Sequence, residues 1–210
     1  MIHHPNISNR IYDIILKQIS SRKLKPGTRL KEEQLTEELG VSRTPLRDAI
    51  TRMVKDGYLE AEPRKGARVR KILPKDIAEI YDIRMALESL AVRLSLPKID
   101  PEELVKLKNI FNGKDASALP GADARLHHLI VHNCGNKRLV DILANLEKLV
   151  SVFRLAGYDS PARSISAVAD HLRIIEALLK NDPDLAEKEV RNHIENTKRQ
   201  IIAEFENSQT

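Results

Sequence analysis

The sequence predicts a mainly α-helical protein in two parts: three short helices with a β-hairpin, then an all-α bundle of six helices. Three observations point there. Aromatic residues make up 3% of the 210 residues and tryptophan is absent, so the core must be built from Leu, Ile, Val and Ala, which suits packed helices better than stacked sheets. Apolar residues recur at helical spacing from Ile7 almost to the C-terminus. Charge is uneven, with 16 Lys and Arg against 9 Asp and Glu in residues 1–73 and 19 against 21 in the rest. The net +5 therefore resides in the front part, and only that part is built to meet a polyanion.

Each element follows from local pattern. Ile11, Ile14, Ile15, Leu16 and Ile19 make Ile7 to Ser21 a first helix. Pro26-Gly27 marks a turn. Lys31 to Leu39 is a short second helix that stops at Gly40. Val41 to Asp56 is a third, capped by Ser42 or Thr44, with Pro45 in its first turn. Helix, short turn and helix form a helix-turn-helix outline. Tyr58 to Ala61 and Ala67 to Lys71 flank the turn EPRKG and read as a β-hairpin, the wing of a winged helix-turn-helix. Residues 1–73 thus form one domain and residues 74–210 a second.

In the second domain, helices are expected over Lys75–Leu96, Pro101–Phe111, Ala122–Cys134, Lys137–Ala156, Ala162–Lys180 and Pro183–Phe205. The first should bury Ile77, Ile80, Ile83, Leu87, Leu90, Ala91 and Leu94. The second helix of the bundle is followed by a loop, NGKDASALPG. Six helices of these lengths make a bundle. A single cysteine, Cys134, excludes an internal disulfide and fits a reducing compartment. The opening MIHHPNISNR lacks the pattern of a signal peptide. No apolar run approaches the ~18 residues of a membrane span, so a cytoplasmic protein is expected.

The third helix turns Leu46, Ala49, Ile50, Met53 and Val54 inward. Its N-terminal end then presents the hydroxyls of Ser42 and Thr44, free backbone N–H groups and the guanidinium forks of Arg43 and Arg47. Free N–H groups and the positive dipole end attract phosphate, and Arg can donate two bonds to guanine in the major groove. Arg64, Lys65, Arg68 and Arg70 place positive charge on the hairpin, as a wing lying on DNA needs. A cap with solvated arginines would explain SRTP alone, but not three helices followed by a basic hairpin.

The run LKPGTRLKEEQLTEELGVSRTPLRDAITRMVKDGYLEAEPRKGARV resembles the winged-helix domain of the GntR family of bacterial transcription regulators. The PG turn, VSRTPLRDAI, the DGYL step and the late Gly before RV carry the match over residues 7–72. The resemblance implies Arg43, Thr44 and Arg47 as DNA-contacting positions, with Gly66 at the wing tip. The family often has an arginine in the second helix near DNA; Glu33 stands about there.

Histidines mark the bundle. Asp123 and His127 are four apart on one helix face, while His171 and His193 lie on the inner sides of the last two helices. One carboxylate and three imidazoles from three helices are able to hold one metal in a bundle core. A lone helical histidine is more often satisfied or solvated, the reading kept for His3, His4, His128 and His132. The bundle is similar to the FCD effector domain of the FadR-like branch, through YDIRMALESLAVRL, the Asp-x-x-x-His pair, Asn136 and the two late histidines. The resemblance implies that Asp123, His127, His171 and His193 bind a divalent metal, zinc before nickel, manganese or iron. It also implies a small organic acid beside the metal with Arg84 a candidate partner. An internal ion pair with Glu88 is the equal alternative for Arg84.

The function expected is a DNA-binding transcription regulator, a repressor by family default, whose operator binding is controlled by the organic acid. A homodimer would set two recognition helices on an inverted repeat of double-stranded DNA. The alternatives are a metal-dependent enzyme with a DNA-targeting domain, using Glu176 or Glu195 as base, and a regulator whose metal is purely structural.

Overall fold

The structure, a computed structural model, describes residues 7–63, 65–153 and 167–207. Its elements are α1 (Ile7–Ser20), β1 (Arg29–Leu30), α2 (Glu32–Leu39), α3 (Arg43–Lys55), β2 (Leu59–Glu62), β3 (Gly66–Val69), α4 (Pro74–Ser95), α5 (Pro101–Phe111), α6 (Leu119–Asn133), α7 (Lys137–Phe153), α8 (Val168–Leu179) and α9 (Pro183–Asn207). Short 3-10 turns follow α4 at Leu96–Lys98 and precede α6 at Ala116–Ala118. The chain divides into two compact units. One runs through Leu73 and takes in a stretch from Lys148; the other begins at Pro74 and holds the rest.

In the first unit the apolar stripe of α1, Ile11, Ile15 and Ile19, packs against Leu46, Ala49, Ile50 and Met53 of α3, as the 3.6-residue period requires. Gly40 ends α2 in the left-handed conformation at φ 62°, which a residue without Cβ adopts at little cost. Ser42 occupies the N-cap position of α3, but its side chain makes no capping hydrogen bond. Its hydroxyl, like that of Thr44, is left on an exposed edge.

The expected hairpin is present, with Glu62 opposite Gly66 and Leu59 opposite Val69. A third strand, β1, pairs with β3 through Arg29–Arg68 and Leu30–Ala67, giving the antiparallel order β1-β3-β2. Two residues carry no readable alternation, which is why sequence pattern misses this strand.

In the second unit α4 packs along α9 and against α6, α8 lies against α9, and α5 packs on α8 and α6. The inward face of α4 differs from the one expected. Ile77, Ile80, Tyr81, Arg84, Glu88, Ala91, Val92 and Ser95 are buried, whereas Ile83 is 50%, Leu90 45% and Leu94 37% exposed. The physical reason is an ion pair: the middle of the buried face carries Arg84 and Glu88 toward the histidines described below, so the helix is turned away from its richest apolar line. On α7, Leu139 and Leu143 are buried but Ile142 is 49% exposed. The parts of the expected helices beyond Phe153 and before Val168 lie outside the described residues.

The two faces of burial give a stability contrast. Leu46→Ala, at a site with no exposure, should destabilise the first unit by about 2–5 kcal/mol. Val105→Ala, at a side chain of α5 that is 47% exposed, should stay within about 0.5 kcal/mol. Urea unfolding followed by circular dichroism measures both; equal losses would place Val105 in the core.

Candidate metal centre

Asp123 and His127 project from one face of α6, His171 from the start of α8 and His193 from the middle of α9. One potential ligand atom from each lies within 4.8 Å of every other. The rings of His171 and His193 are 4.5 Å apart between centroids, and Phe111 of α5 stacks on His171 at 4.8 Å. Three helices thus deliver three imidazoles and one carboxylate to a point that the Phe111 ring closes on one side.

The nitrogen atoms are the telling feature. Among the described residues, both ring nitrogens of His171 and Nδ1 of His193 are buried with no hydrogen-bond partner. His171 Nε2 does lie 3.0 Å from Asp123 Oδ1, yet off the line that an N–H···O bond needs. His193 Nδ1 stands 3.7 Å from Asp170 Oδ2, beyond hydrogen-bond reach. Buried polar atoms left unpaired cost about 1–3 kcal/mol each, so a core with several calls for a common partner. Lone pairs from neutral imidazole beside a carboxylate are the donor set of a divalent transition metal. The residues fit such an ion.

A layer of carboxylates supports two of the rings. His127 Nδ1 is 2.8 Å from Glu88 Oε2, leaving Nε2 on the side of Asp123, 3.3 Å away. Glu88 in turn pairs with Arg84, both nearly fully buried. Asp170, beside His193, accepts a hydrogen bond from Asn196 Nδ2 at 3.0 Å and pairs with Arg173. Such partners fix which ring nitrogen faces a site. Burial works against charge on His127, but Glu88 and Asp123 hold it up at about 9. Burial pushes His193 down to about 4, against the pull of Asp170. For Asp123 burial alone would raise the carboxyl, yet His127 and His171 hold it well below the carboxylate range.

Arg84 therefore makes the internal pair with Glu88 that was its alternative to meeting an organic acid. His128 and His132 are not in the cluster; they are exposed, their rings stacked at 3.8 Å. His3 and His4 lie outside the described residues. Glu176 pairs with Lys108 and Glu195 with Lys198 and Arg199, as carboxylates on solvated helix faces do. Asn136 accepts from the Leu139 N–H at 3.1 Å and caps α7. Asp170 and Phe111 escaped sequence reasoning. The signal was present for Asp170, an acid adjoining a candidate ligand, but first-turn acids are common on helices.

In the first unit Ser42, Arg43, Thr44 and Arg47 are all exposed on the opening turns of α3, and Lys65 and Gly66 are exposed at the turn of the wing. Arg64 lies outside the described residues. Arg43 Nη2 is 3.1 Å from Glu33, and Arg47 Nε is 2.8 Å from Glu32. Arg68 is engaged across the hairpin by Glu60 and Glu62.

Two family models match the chain. The model for bacterial regulatory proteins of the gntR family matches residues 7–69, and the FCD domain model matches residues 79–196. The HTH-type transcriptional regulator YdhC of Bacillus subtilis (strain 168) is 33% identical over 88% of this chain and 86% of its own. The HTH-type transcriptional repressor RspR of Escherichia coli (strain K12) is 24% identical over 90% and 86%. Among solved structures, the Zn2+-bound FCD domain of TM0439 shares the fold of the second unit, at TM-score 0.56 and 22% identity over 64% of this chain and 97% of that one.

The Arg84–Glu88 pair has a measurable consequence. Burial alone would raise the Glu88 carboxyl, but Arg84 and His127 hold it well below the usual range. A depressed carboxyl contributes stability that is fully present above its unfolded value, about 4.3, and is lost as pH falls. Glu88→Ala should cost about 3–5 kcal/mol at neutral pH by leaving Arg84 buried and unpaired. Between pH 5 and pH 3 the melting temperature of the wild type should fall more steeply than that of Glu88→Gln; parallel slopes would remove Glu88 from the acid transition.

Proposed function

This chain belongs to the gntR family of bacterial regulatory proteins and carries an FCD domain; on that premise we propose a metal-centred, ligand-responsive repressor. It is a transcription regulator and not an enzyme, as its family and relatives are named, which overturns the alternative of a metal-dependent enzyme. Regulators with this helix-turn-helix bind DNA. Among the described residues no helix is long and apolar enough to cross a membrane. The place of work proposed is the cytoplasm, where the DNA is.

The reading assigns residues 1–73 to DNA and residues 74–210 to sensing and dimerisation. Ser42, Arg43, Thr44, Arg47, Lys65 and Gly66, with Arg64, meet an inverted-repeat operator. A homodimer supplies the two recognition helices that such a repeat needs. Its support is the exposed line Ile83, Leu90 and Leu94 on α4 together with Ile142 on α7, apolar surface that a second copy would cover. Repression is chosen because RspR carries that name.

The observation that carries the sensing half is the set of buried, unpartnered imidazole nitrogens around Asp123. Asp123, His127, His171 and His193 would hold one divalent ion, zinc before nickel, manganese or iron; zinc is put first because an FCD domain of like fold is Zn2+-bound. A bound ion supplies a Lewis-acid seat for the carboxylate of a small organic acid. This chain's own residues do the rest: Glu88 and Asp170 hold rings in place, Phe111 excludes water from His171, and Arg84 keeps Glu88 charged. Arg84 reaches an effector only if the acid competes with Glu88 for its guanidinium. Control of operator binding requires the acid to bind the two arrangements of the protein with different affinity.

A structural metal remains the second reading, favoured by the burial of His171 and His193, 2% and 5% exposed. The two diverge on chelation: loss of a structural ion melts the bundle, whereas loss of a sensory ion removes effector binding and leaves the fold. Elemental analysis of native protein should find one divalent ion per chain, and His171→Ala should lose most of it while still binding DNA. Full metal content in that variant refutes the ligand set. Arg47→Ala should weaken operator binding by about 1–3 kcal/mol; unchanged affinity in a titration at physiological salt takes Arg47 off the interface.

A further inference from the structure

Two carboxylates stand where a DNA-binding surface should have none. Glu32 and Glu33 open α2 and pair with Arg47 and Arg43, the arginines on the exposed opening turns of α3. Acids in a first turn favour the helix, and exposed ion pairs contribute roughly 0–1 kcal/mol. Neither effect offsets placing negative charge beside phosphates, where binding is dominated by cation–phosphate attraction.

The geometry separates the two pairs. Glu32 is the more enclosed, its side chain 25% exposed against 82% for Glu33. Its Oε1 lies 3.9 Å from where a Cβ on Gly66 would stand, so it is wedged between the recognition helix and the wing. Its Oε2 accepts a hydrogen bond from Nε of Arg47 at 2.8 Å. A guanidinium has five N–H donors in a rigid fork. With Nε engaged and no other partner for Arg47 among the described residues, the four donors on the two terminal nitrogens remain for O6 and N7 of guanine. Glu33 instead takes Nη2 of Arg43, one of the atoms such a contact needs.

We propose that Glu32 is a positioning residue for base readout: it holds Arg47 by Nε and points its fork at a guanine, whereas Glu33 is a plain electrostatic brake on Arg43. The proposal rests on the assignment of Arg47 to the DNA interface. A buttressed fork is already ordered before binding, so its contact with the right base keeps more of its energy. The two glutamates then predict opposite behaviour on loss of charge. Removing the brake strengthens binding to any duplex; removing the buttress weakens the right duplex only.

The test uses the full-length protein and a duplex that the wild type selects from a randomised library, with an unrelated duplex of equal length. Glu32→Ala should lose on the order of 10-fold in affinity for the selected duplex and bind the unrelated one as well as or better than the wild type. Glu33→Gln should tighten both alike. Replacing the guanine read by Arg47 with 7-deazaguanine should weaken the wild type and leave Glu32→Ala almost unaffected. If Glu32→Ala tightens both duplexes equally, as Glu33→Gln does, the buttress is refuted while Arg47 keeps its place. If Arg47→Ala binds the selected duplex like the wild type, the interface assignment fails, and the buttress with it.

Discussion

A charged pair buried on the inner face of α4 governs the second unit. Arg84 and Glu88 are 7% and 3% exposed, and taking each ion out of water costs several kcal/mol. That cost is offset only when every remaining lone pair finds a partner, and here Glu88 finds the His127 ring. The pair is thus tied to the imidazoles rather than to the general packing of the bundle. Charge bookkeeping at the centre leads the same way. Glu88 and Asp123 bring two negative charges and Arg84 one positive, so the cluster holds one negative charge in excess. A proton on His127, which those carboxylates favour, or a divalent cation answers that excess.

Turning α4 so that Arg84 and Glu88 face inward decides what faces outward. The helix carries apolar residues on two lines: Ile77, Ile80, Tyr81, Ala91 and Val92 flank the ion pair and are buried, while Ile83, Leu90 and Leu94 are left to solvent. The spacing from Ile83 to Leu87 to Leu90 to Leu94 is four, three and four, the narrow seam of helix-to-helix contact rather than the broad stripe of a core helix. Polar chemistry in the core and an apolar seam on the surface are one choice of helix rotation. A bundle built only for stability would bury the leucines.

That coupling explains what could be read from residues alone. The helix-turn-helix and the hairpin were legible because local signals agree with the fold: Gly40 terminates α2, the α1 and α3 stripes meet, and EPRKG turns between two strands. The four converging residues were legible as well, since i and i+4 on α6 and two inward histidines on the last helices admit few arrangements. The rotation of α4 was not. Hydrophobic periodicity assumes that the buried face is the most apolar one, and Arg84 with Glu88 reverses that assumption. Strand β1 was missed for a different reason, because two residues hold no period and their pairing with β3 is known only in three dimensions.

The same tension recurs at the other end of the chain, with water in place of a low dielectric. Near α3 the carboxylates of Glu32 and Glu33 sit among cations that a polyanion should claim. Exposed pairs are screened over roughly 8 Å at physiological salt, so their worth to folding is small, whereas on the proposed interface their effect on a bound duplex would be large. A charge that contributes little to the free protein and much to the complex belongs to recognition rather than stability. On the function proposed, the second unit uses its buried charges to shape a site for a cation, while the first leaves opposed charges exposed, where they would set which contacts of the arginines remain open.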